Sequence, residues 1–330
     1  MTTGAAVRAA AVVVALVAAA CTNGDGDSDG ASQPENGSQP EAQAEEVRVV
    51  TLNVLHGLFC PPETDYCHAP DRAELVARGL EEASCPELVG LQEIGPRQGE
   101  LIPEAAEQVC GGSYEVAWQA VDSPDRAMVL TTLPITDRGY LDLAAFPWEA
   151  YWVRATSPVG PVDFLTTHFA SSANNPPCTA ENCPPVCSAG VDANQCNALE
   201  VADFFDARPE ATLQIASGDF NATPDDPTLV TFTDAGFVDA WLAAGEAECD
   251  AATGKGCTGG RSRPDNPLDG LDVPDGRYSA RIDFVLAKAA PDCSLDAEAE
   301  GFFAEPFAEP YRGLYWASDH AGVLATLRCA

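Results

Sequence analysis

Apolar stretches of this chain repeatedly end on side chains that can bind a cation or move a proton. "VVTLNV" carries Asn53, "LVGLQE" ends on Glu93, and "FLTTHF" holds His168. "SGDFN" places Asp219 and Asn221 two positions apart, "RIDFVL" holds Asp283, and "SDHAGVLATL" sets Asp319 and His320 ahead of an apolar run. Carboxylates and a carboxamide are hard oxygen ligands of the kind Mg²⁺ and Mn²⁺ prefer. A further carboxylate can orient or deprotonate water, and imidazoles can donate to oxygens on which charge builds. Together these groups suit metal-assisted attack of water on a phosphoester.

Each residue alone has a plainer reading. Glu93 is a loop carboxylate and Asn53 a turn former. Asp219 with Asn221 makes an Asx turn toward a helix at Asp226. Asp283 stands two after Arg281, where a surface ion pair is the default. The joint occurrence argues for more. The chain has 4 histidines, and His168 and His320 both fall at strand margins. His56 and His68, near the first strand, receive no assignment.

The elements that must position these groups follow from the apolar pattern. Residues 45–54, 87–94, 113–120, 126–135, 148–156 and 162–170 read as strands, as do 211–217, 280–289 and 320–329. Residues 71–83 have helical spacing, with Asp71 placed to cap them. Residues 105–110, 197–207 and the stretch opening at Asp226 are helical as well. Strands without intervening helices, mixed with strands that have them, predict two packed sheets with helices outside, an α/β or α+β fold. The segment from Ser171 to Cys196 is too long for an ordinary connection and too rich in proline and cysteine for a regular element.

The N-terminus reads as an export signal over residues 1–20, with an apolar stretch too short to span a bilayer. It leads into Cys21, a candidate lipid anchor to the membrane; simple secretion is the alternative. Residues 22–46 hold seven acids and no base, and predict a disordered tether. Residues 47–330 read as one domain and a monomer. Twelve cysteines besides Cys21 predict a disulfide set in an exported protein. Cys60 with Cys67, Cys249 with Cys257, and pairs within Cys178, Cys183, Cys187 and Cys196 are local candidates. Zinc is the alternative for the last four, but their spacing lacks a doubled C-x-x-C. The formal net charge is −34, which repels phosphate-rich polymers unless metal or a basic groove reverses the field.

At "TLNVLHG", "LVGLQE", "AMVLTTLPI", "TTHF", "SGDFNATP", "RIDFVL" and "SDHAGV" the chain resembles the endonuclease/exonuclease/phosphatase superfamily, from about Val47 to Cys329. The resemblance implies a four-layer α/β/β/α sandwich and a Mg²⁺- or Mn²⁺-dependent phosphoesterase. It implies Glu93 as the principal metal ligand, with Asn53 and Asp319 beside it. Asp219 would align or deprotonate the attacking water, with Asn221 orienting it or the phosphate. Asp283 would hold and polarise His320, and His168 would contact phosphate. A lipid headgroup, a small diester or extracellular nucleic acid are the substrates weighed first. A phosphomonoesterase, or a non-catalytic surface binding protein keeping the fold, are the alternatives.

Overall fold

The computed structural model describes residues 45–56, 60, 62–112, 114–117, 127–145, 149–179, 183–187, 191–259, 261 and 268–329. The signal, Cys21 and nearly all of the tether lie outside these residues. Gln43–Ala330 is a single compact unit.

In chain order the elements are β1 Glu46–Asn53, α1 Asp65–Glu82, β2 Leu88–Gln92, α2 Pro96–Val109, β3 Glu115–Ala117 and β4 Met128–Thr131. There follow β5 Ile135–Asp142, β6 Glu149–Ser157, β7 Gly160–His168, α3 Ala193–Asp206, β8 Leu213–Asp219 and α4 Pro227–Asp234. The chain closes with β9 Val238–Asp239, α5 Ala240–Ala243, α6 Leu268–Leu271, β10 Asp283–Ala289, β11 Leu295–Phe302 and β12 Gly322–Cys329. They make two six-stranded sheets, ordered β11-β12-β1-β2-β4-β3 and β5-β6-β7-β8-β10-β9.

Strand alternation explains the layers. Along β1, Val47 and Val49 point into the space between the sheets, where they meet Phe164, Ile215 and Val285. Val50 and Leu52 point the other way, onto Ala73, Val76 and Leu80 of α1 and Ile102 and Ala106 of α2. Along β8, Ala216 packs outward with Val201 and Phe205 of α3 and Phe232 of α4. The result is the expected four-layer α/β/β/α sandwich.

Toward one edge the inter-sheet layer changes character. Thr51, Thr166 and Ser217 continue the inward rows of β1, β7 and β8, and all three are fully buried. Gln92 Nε2 donates to Thr51 Oγ1 at 3.0 Å and, across the sheets, to Thr166 Oγ1 at 2.8 Å. The sheets approach so closely here that a Cβ at Gly90 would lie 2.5 Å from Thr166 Oγ1 and 2.8 Å from Ser217 Oγ. Glycine at 90 is therefore required by packing.

Several sequence expectations need correction. β5 and β11 were not expected. Each is the edge strand of its sheet, and each carries the charged, half-exposed pattern that blunts an edge. Asp71 does not cap the regular part of α1 but faces His68 and Arg312. Ahead of it lies a left-handed turn at Tyr66, Cys67 and His68, whose Cys67 N donates to Thr64 Oγ1. Asp283 forms no ion pair with Arg281. The Arg281 guanidinium is fully buried and binds Glu248 at both carboxylate oxygens and Asp239 at 2.7 Å. With the guanidinium fully buried and Asp239 largely so, losing Asp239 would leave a buried charge short of a partner, so this is a structural clamp rather than a surface contact.

The disulfides follow the expected local pattern: Cys60–Cys67, Cys249–Cys257, Cys178–Cys183 and Cys187–Cys196. Cys85–Cys110 and Cys293–Cys329 complete the twelve. With their thiols bridged, Cys178, Cys183, Cys187 and Cys196 have no thiolate to offer zinc.

Candidate functional site

The site lies where the inward rows end. β1 and β2 run parallel, with Asn53 opposite Gln92, so Glu93 emerges beside Asn53. β7 and β8 run parallel, with His168 opposite Asp219. β10 runs antiparallel to β8, with Asp283 opposite Asp219, and so starts at the edge where β8 ends. β12 runs antiparallel to β1, pairing Val323 with Thr51, which brings Asp319 and His320 to that same edge. Asn53, His168 and Asp219 each occupy the next inward position after apolar and hydroxyl residues, and Asp283 precedes Val285 and Ala287 on the inward row of β10. The alternation that buries valine and isoleucine thus converges four polar groups.

Asp219 is the centre. Its Oδ2 accepts from Asn53 Nδ2 at 3.1 Å and lies 3.5 Å from His168 Nε2 and 3.8 Å from His320 Nε2. Its Oδ1 accepts from Asn221 N at 2.9 Å, so the Asx turn exists and serves the site too. Asn221 Nδ2 donates to Phe169 O at 2.8 Å and lies 3.1 Å from His168 Nε2. The turn depends on Gly218, at φ +142°, where a Cβ would lie 1.9 Å from Thr167 O.

Asn53 spans two carboxylates, because Nδ2 also donates to Glu93 Oε1 at 2.9 Å. Its Oδ1 accepts from Leu55 N at 3.0 Å. That oxygen has a second lone pair, so Asn53 can accept from Leu55 N and still offer an oxygen to an ion. Glu93 sits at φ +56°, a sparsely populated conformation for a residue with a Cβ. Burial alone would raise its carboxyl, but His56, His168 and the Asn53 amide outweigh that and hold it down at about 2.

On the opposite side, His320 Nδ1 lies 3.0 Å from Asp283 Oδ2. Burial disfavours a charged imidazole, yet Asp283 and Asp219 hold His320 well above its ordinary value. Asp283 is raised to about 6, first by burial and also by Asp219, against the pull of His320. The two carboxylates thus favour an imidazolium at His320, facing Asp283. Asp319, raised by burial, feels His320, Glu93 and Arg72. Ser318 Oγ ties its loop to β1 by donating to Asn53 O at 2.6 Å.

Three residues without a sequence assignment belong to the assembly. His56 Nε2 lies 3.3 Å from Glu93 Oε2. Thr258 Oγ1 accepts from Asp283 N at 3.0 Å, and its carbonyl accepts from Ala321 N at 2.8 Å, joining the start of β10 at Asp283 to the loop that carries His320 into β12. Arg72, 2 % exposed, donates to the carbonyls of Val54, Leu55, Tyr66 and Cys67. Burial lowers its guanidinium to about 10, so it stays charged. A signal for Arg72 existed: it lies one helical turn before Val76, on the apolar face of α1. Nothing in the sequence pointed to Thr258. His68, 41 % exposed at its side chain, pairs with Asp71.

The long segment after His168 is pinned to the site's rim. Asn194, 1 % exposed, accepts from Ala170 N at 3.0 Å and donates to Ala170 O at 2.7 Å. Its disulfides Cys178–Cys183 and Cys187–Cys196 stand in for regular structure.

The donor chemistry fits a divalent cation. Glu93, Asp219, Asp283 and Asp319 crowd one edge, against the full charges of Arg72 and His320. Side-chain atoms of Asp219, Asp283 and His320 lie within 4.8 Å of one another, two carboxylates against one imidazole. Asp283 Oδ1 is buried with no hydrogen-bond partner among the described residues. Hard oxygen donors in excess of nearby positive charge are what Mg²⁺ and Mn²⁺ take.

Among curated proteins, none matches the sequence. Solved structures do match the fold. TDP2 from C. elegans is 17% identical, with a TM-score of 0.58 over 87% of this chain and 77% of that one. A mannosyl-6-phosphatase from Bacteroides thetaiotaomicron VPI-5482 is 15% identical, with a TM-score of 0.60 over 85% and 99%. D. rerio TDP2 complexed with single strand DNA product is 14% identical, with a TM-score of 0.56 over 86% and 99%. Residues 50–320 match the endonuclease/exonuclease/phosphatase family. The chain belongs to that family, and is a metal-dependent hydrolase of the phosphoesterase and nuclease class.

Proposed function

We propose that this protein hydrolyses a phosphodiester with small or uncharged flanking groups, such as a lipid headgroup diester, outside the cell. The observation that carries the reading is Asp219, held by Asn53 and Asn221 and flanked by His168 and His320.

In this reading Glu93 and Asp319, with Asn53 between Glu93 and Asp219, hold Mg²⁺ or Mn²⁺. Bound there, the cation would polarise a phosphoryl oxygen and offset its growing charge. Asp219 aligns water and accepts its proton as the new P–O bond forms in line with the P–O bond that breaks. The ester oxygen leaves with that electron pair and takes a proton from solvent. His320, kept protonated by Asp283, donates to a phosphoryl oxygen, and His168 donates from the other side with Asn221 beside it. Such fixed donors are commonly worth about 10²–10³ in rate.

Charge narrows the substrate. Arg48, Arg138, Arg154, Arg281, Arg312, Arg328 and Lys288 each lie within 3.0 Å of a carboxylate. The chain has only two lysines. A long polyanion needs a row of uncommitted cations along its backbone, whereas one diester needs the cleft alone. The export signal, the Cys21 anchor and six disulfides fit an extracellular, membrane-attached enzyme.

Hydrolysis of bis-p-nitrophenyl phosphate, p-nitrophenyl phosphate, phosphodiester lipid vesicles and single-stranded DNA tests the assignment. We expect diester and vesicle turnover to exceed monoester and DNA turnover. Preferential release from the monoester would establish a phosphatase instead. DNA cleavage faster than vesicle hydrolysis at physiological salt would overturn the substrate class.

A further inference from the structure

His56 addresses one oxygen of Glu93 with two donors. Its backbone N–H and its ring Nε2 each lie 3.3 Å from Glu93 Oε2. Among the described residues the other oxygen, Oε1, receives a single donor, Asn53 Nδ2. A carboxylate oxygen has two lone-pair sites, so with a proton on His56 Nε2 these contacts fill Oε2, while among the described residues Oε1 keeps one site open.

The turn that presents His56 is fixed independently of any ligand. Arg72 donates to the carbonyls of Val54 and Leu55, and Gln98 Nε2 donates to Leu55 O at 3.1 Å. Leu55 itself takes φ +52°, and His56 is 8 % exposed. On the other side of the contact, Glu93 also sits at a positive φ, +56°. Two uncommon backbone conformations therefore meet at this carboxylate, a pattern that persists only where surroundings over-determine it.

We propose that His56 is a positioning residue for the metal: with its proton on Nε2 it caps Glu93 Oε2 and leaves Oε1 as the oxygen offered to the cation. The proposal rests on the metal-ligand reading of Glu93. Partners that orient a ligand in this way are typically worth 10–100-fold in metal affinity.

The test is Mn²⁺ binding, followed by the EPR signal of free Mn²⁺ in the full chain, for wild type, His56→Leu and His56→Gln. Glutamine keeps a neutral N–H donor of similar reach; leucine keeps bulk alone. We expect His56→Leu to bind Mn²⁺ about tenfold or more weakly, and His56→Gln to recover most of the loss. Melting temperatures in EDTA should be alike for the two variants, which a packing role would not give. At saturating Mn²⁺ their kcat should approach wild type, placing the defect in binding. Should His56→Leu fail to fold, His56→Asn, whose shorter amide cannot reach Oε2, should show the same loss. Wild-type affinity in His56→Leu or His56→Asn, or a glutamine variant as weak as leucine, would overturn the proposal. If wild type itself binds no Mn²⁺, the reading of Glu93 as a ligand fails first.

Discussion

His320 and Asp283 form a directed pair: Nδ1 of the imidazole lies 3.0 Å from Oδ2 of the carboxylate, while Nε2 points toward Asp219, 3.8 Å away. The hydrogen bond on Nδ1 fixes the ring, so that Nε2 becomes the donor aimed into the cleft. Because the carboxylates raise His320, the folded protein holds that proton more tightly than the unfolded chain. Its stabilising contribution is then fully present below about pH 6.5 and is lost as pH rises through the folded value. In EDTA, the melting temperature of wild type should fall as pH rises above about 6.5, and His320→Gln should flatten that slope. Parallel slopes would show that the pair is not an imidazolium–carboxylate.

Glu93→Gln keeps the shape of the side chain and removes its charge. Its defect should lie in cation affinity, since ligand charge sets how tightly a hard ion is held. The Mn²⁺ needed for half-maximal activity should rise by about tenfold or more, with part of the lost activity recovered at high Mn²⁺. An unchanged Mn²⁺ requirement would remove Glu93 from the ligand set.

The disulfides should differ in worth. Cys293–Cys329 closes a separation of 36 residues between the start of β11 and the end of β12; Cys178–Cys183 closes 5. Loop-closure entropy gives about 4 kcal/mol for the first and about 2 for the second. Urea unfolding of the two paired Cys→Ser variants should rank them in that order, and the reverse order would refute the entropic account. Alkylation of the unreduced protein should label Cys21 at most.

Most of the site was legible because its residues end apolar rows. Asn53, His168 and Asp219 each end an inward row of apolar and then hydroxyl residues, and Asp283 opens the row that continues with Val285 and Ala287. What the sequence hid depends on distant pairing. His56 meets Glu93, 37 residues on, and Arg281 turned to Glu248, in the Cys249–Cys257 loop region, rather than to its near neighbour Asp283. β5 and β11 escaped notice because edge strands mix charge into the alternation on which strand recognition relies.

The most direct measurement strips the enzyme with EDTA, then titrates Mn²⁺ while following bis-p-nitrophenyl phosphate hydrolysis by wild type and Asp219→Asn. General-base assistance is commonly worth about 10²–10⁴. Wild type should be inactive in EDTA and recover with Mn²⁺. Asp219→Asn should stay at least about 100-fold slower at saturating Mn²⁺, with a melting temperature near that of wild type. Hydrolysis that ignores EDTA, or an Asp219→Asn enzyme retaining more than roughly a tenth of wild-type turnover, would contradict metal-assisted attack by water aligned on Asp219.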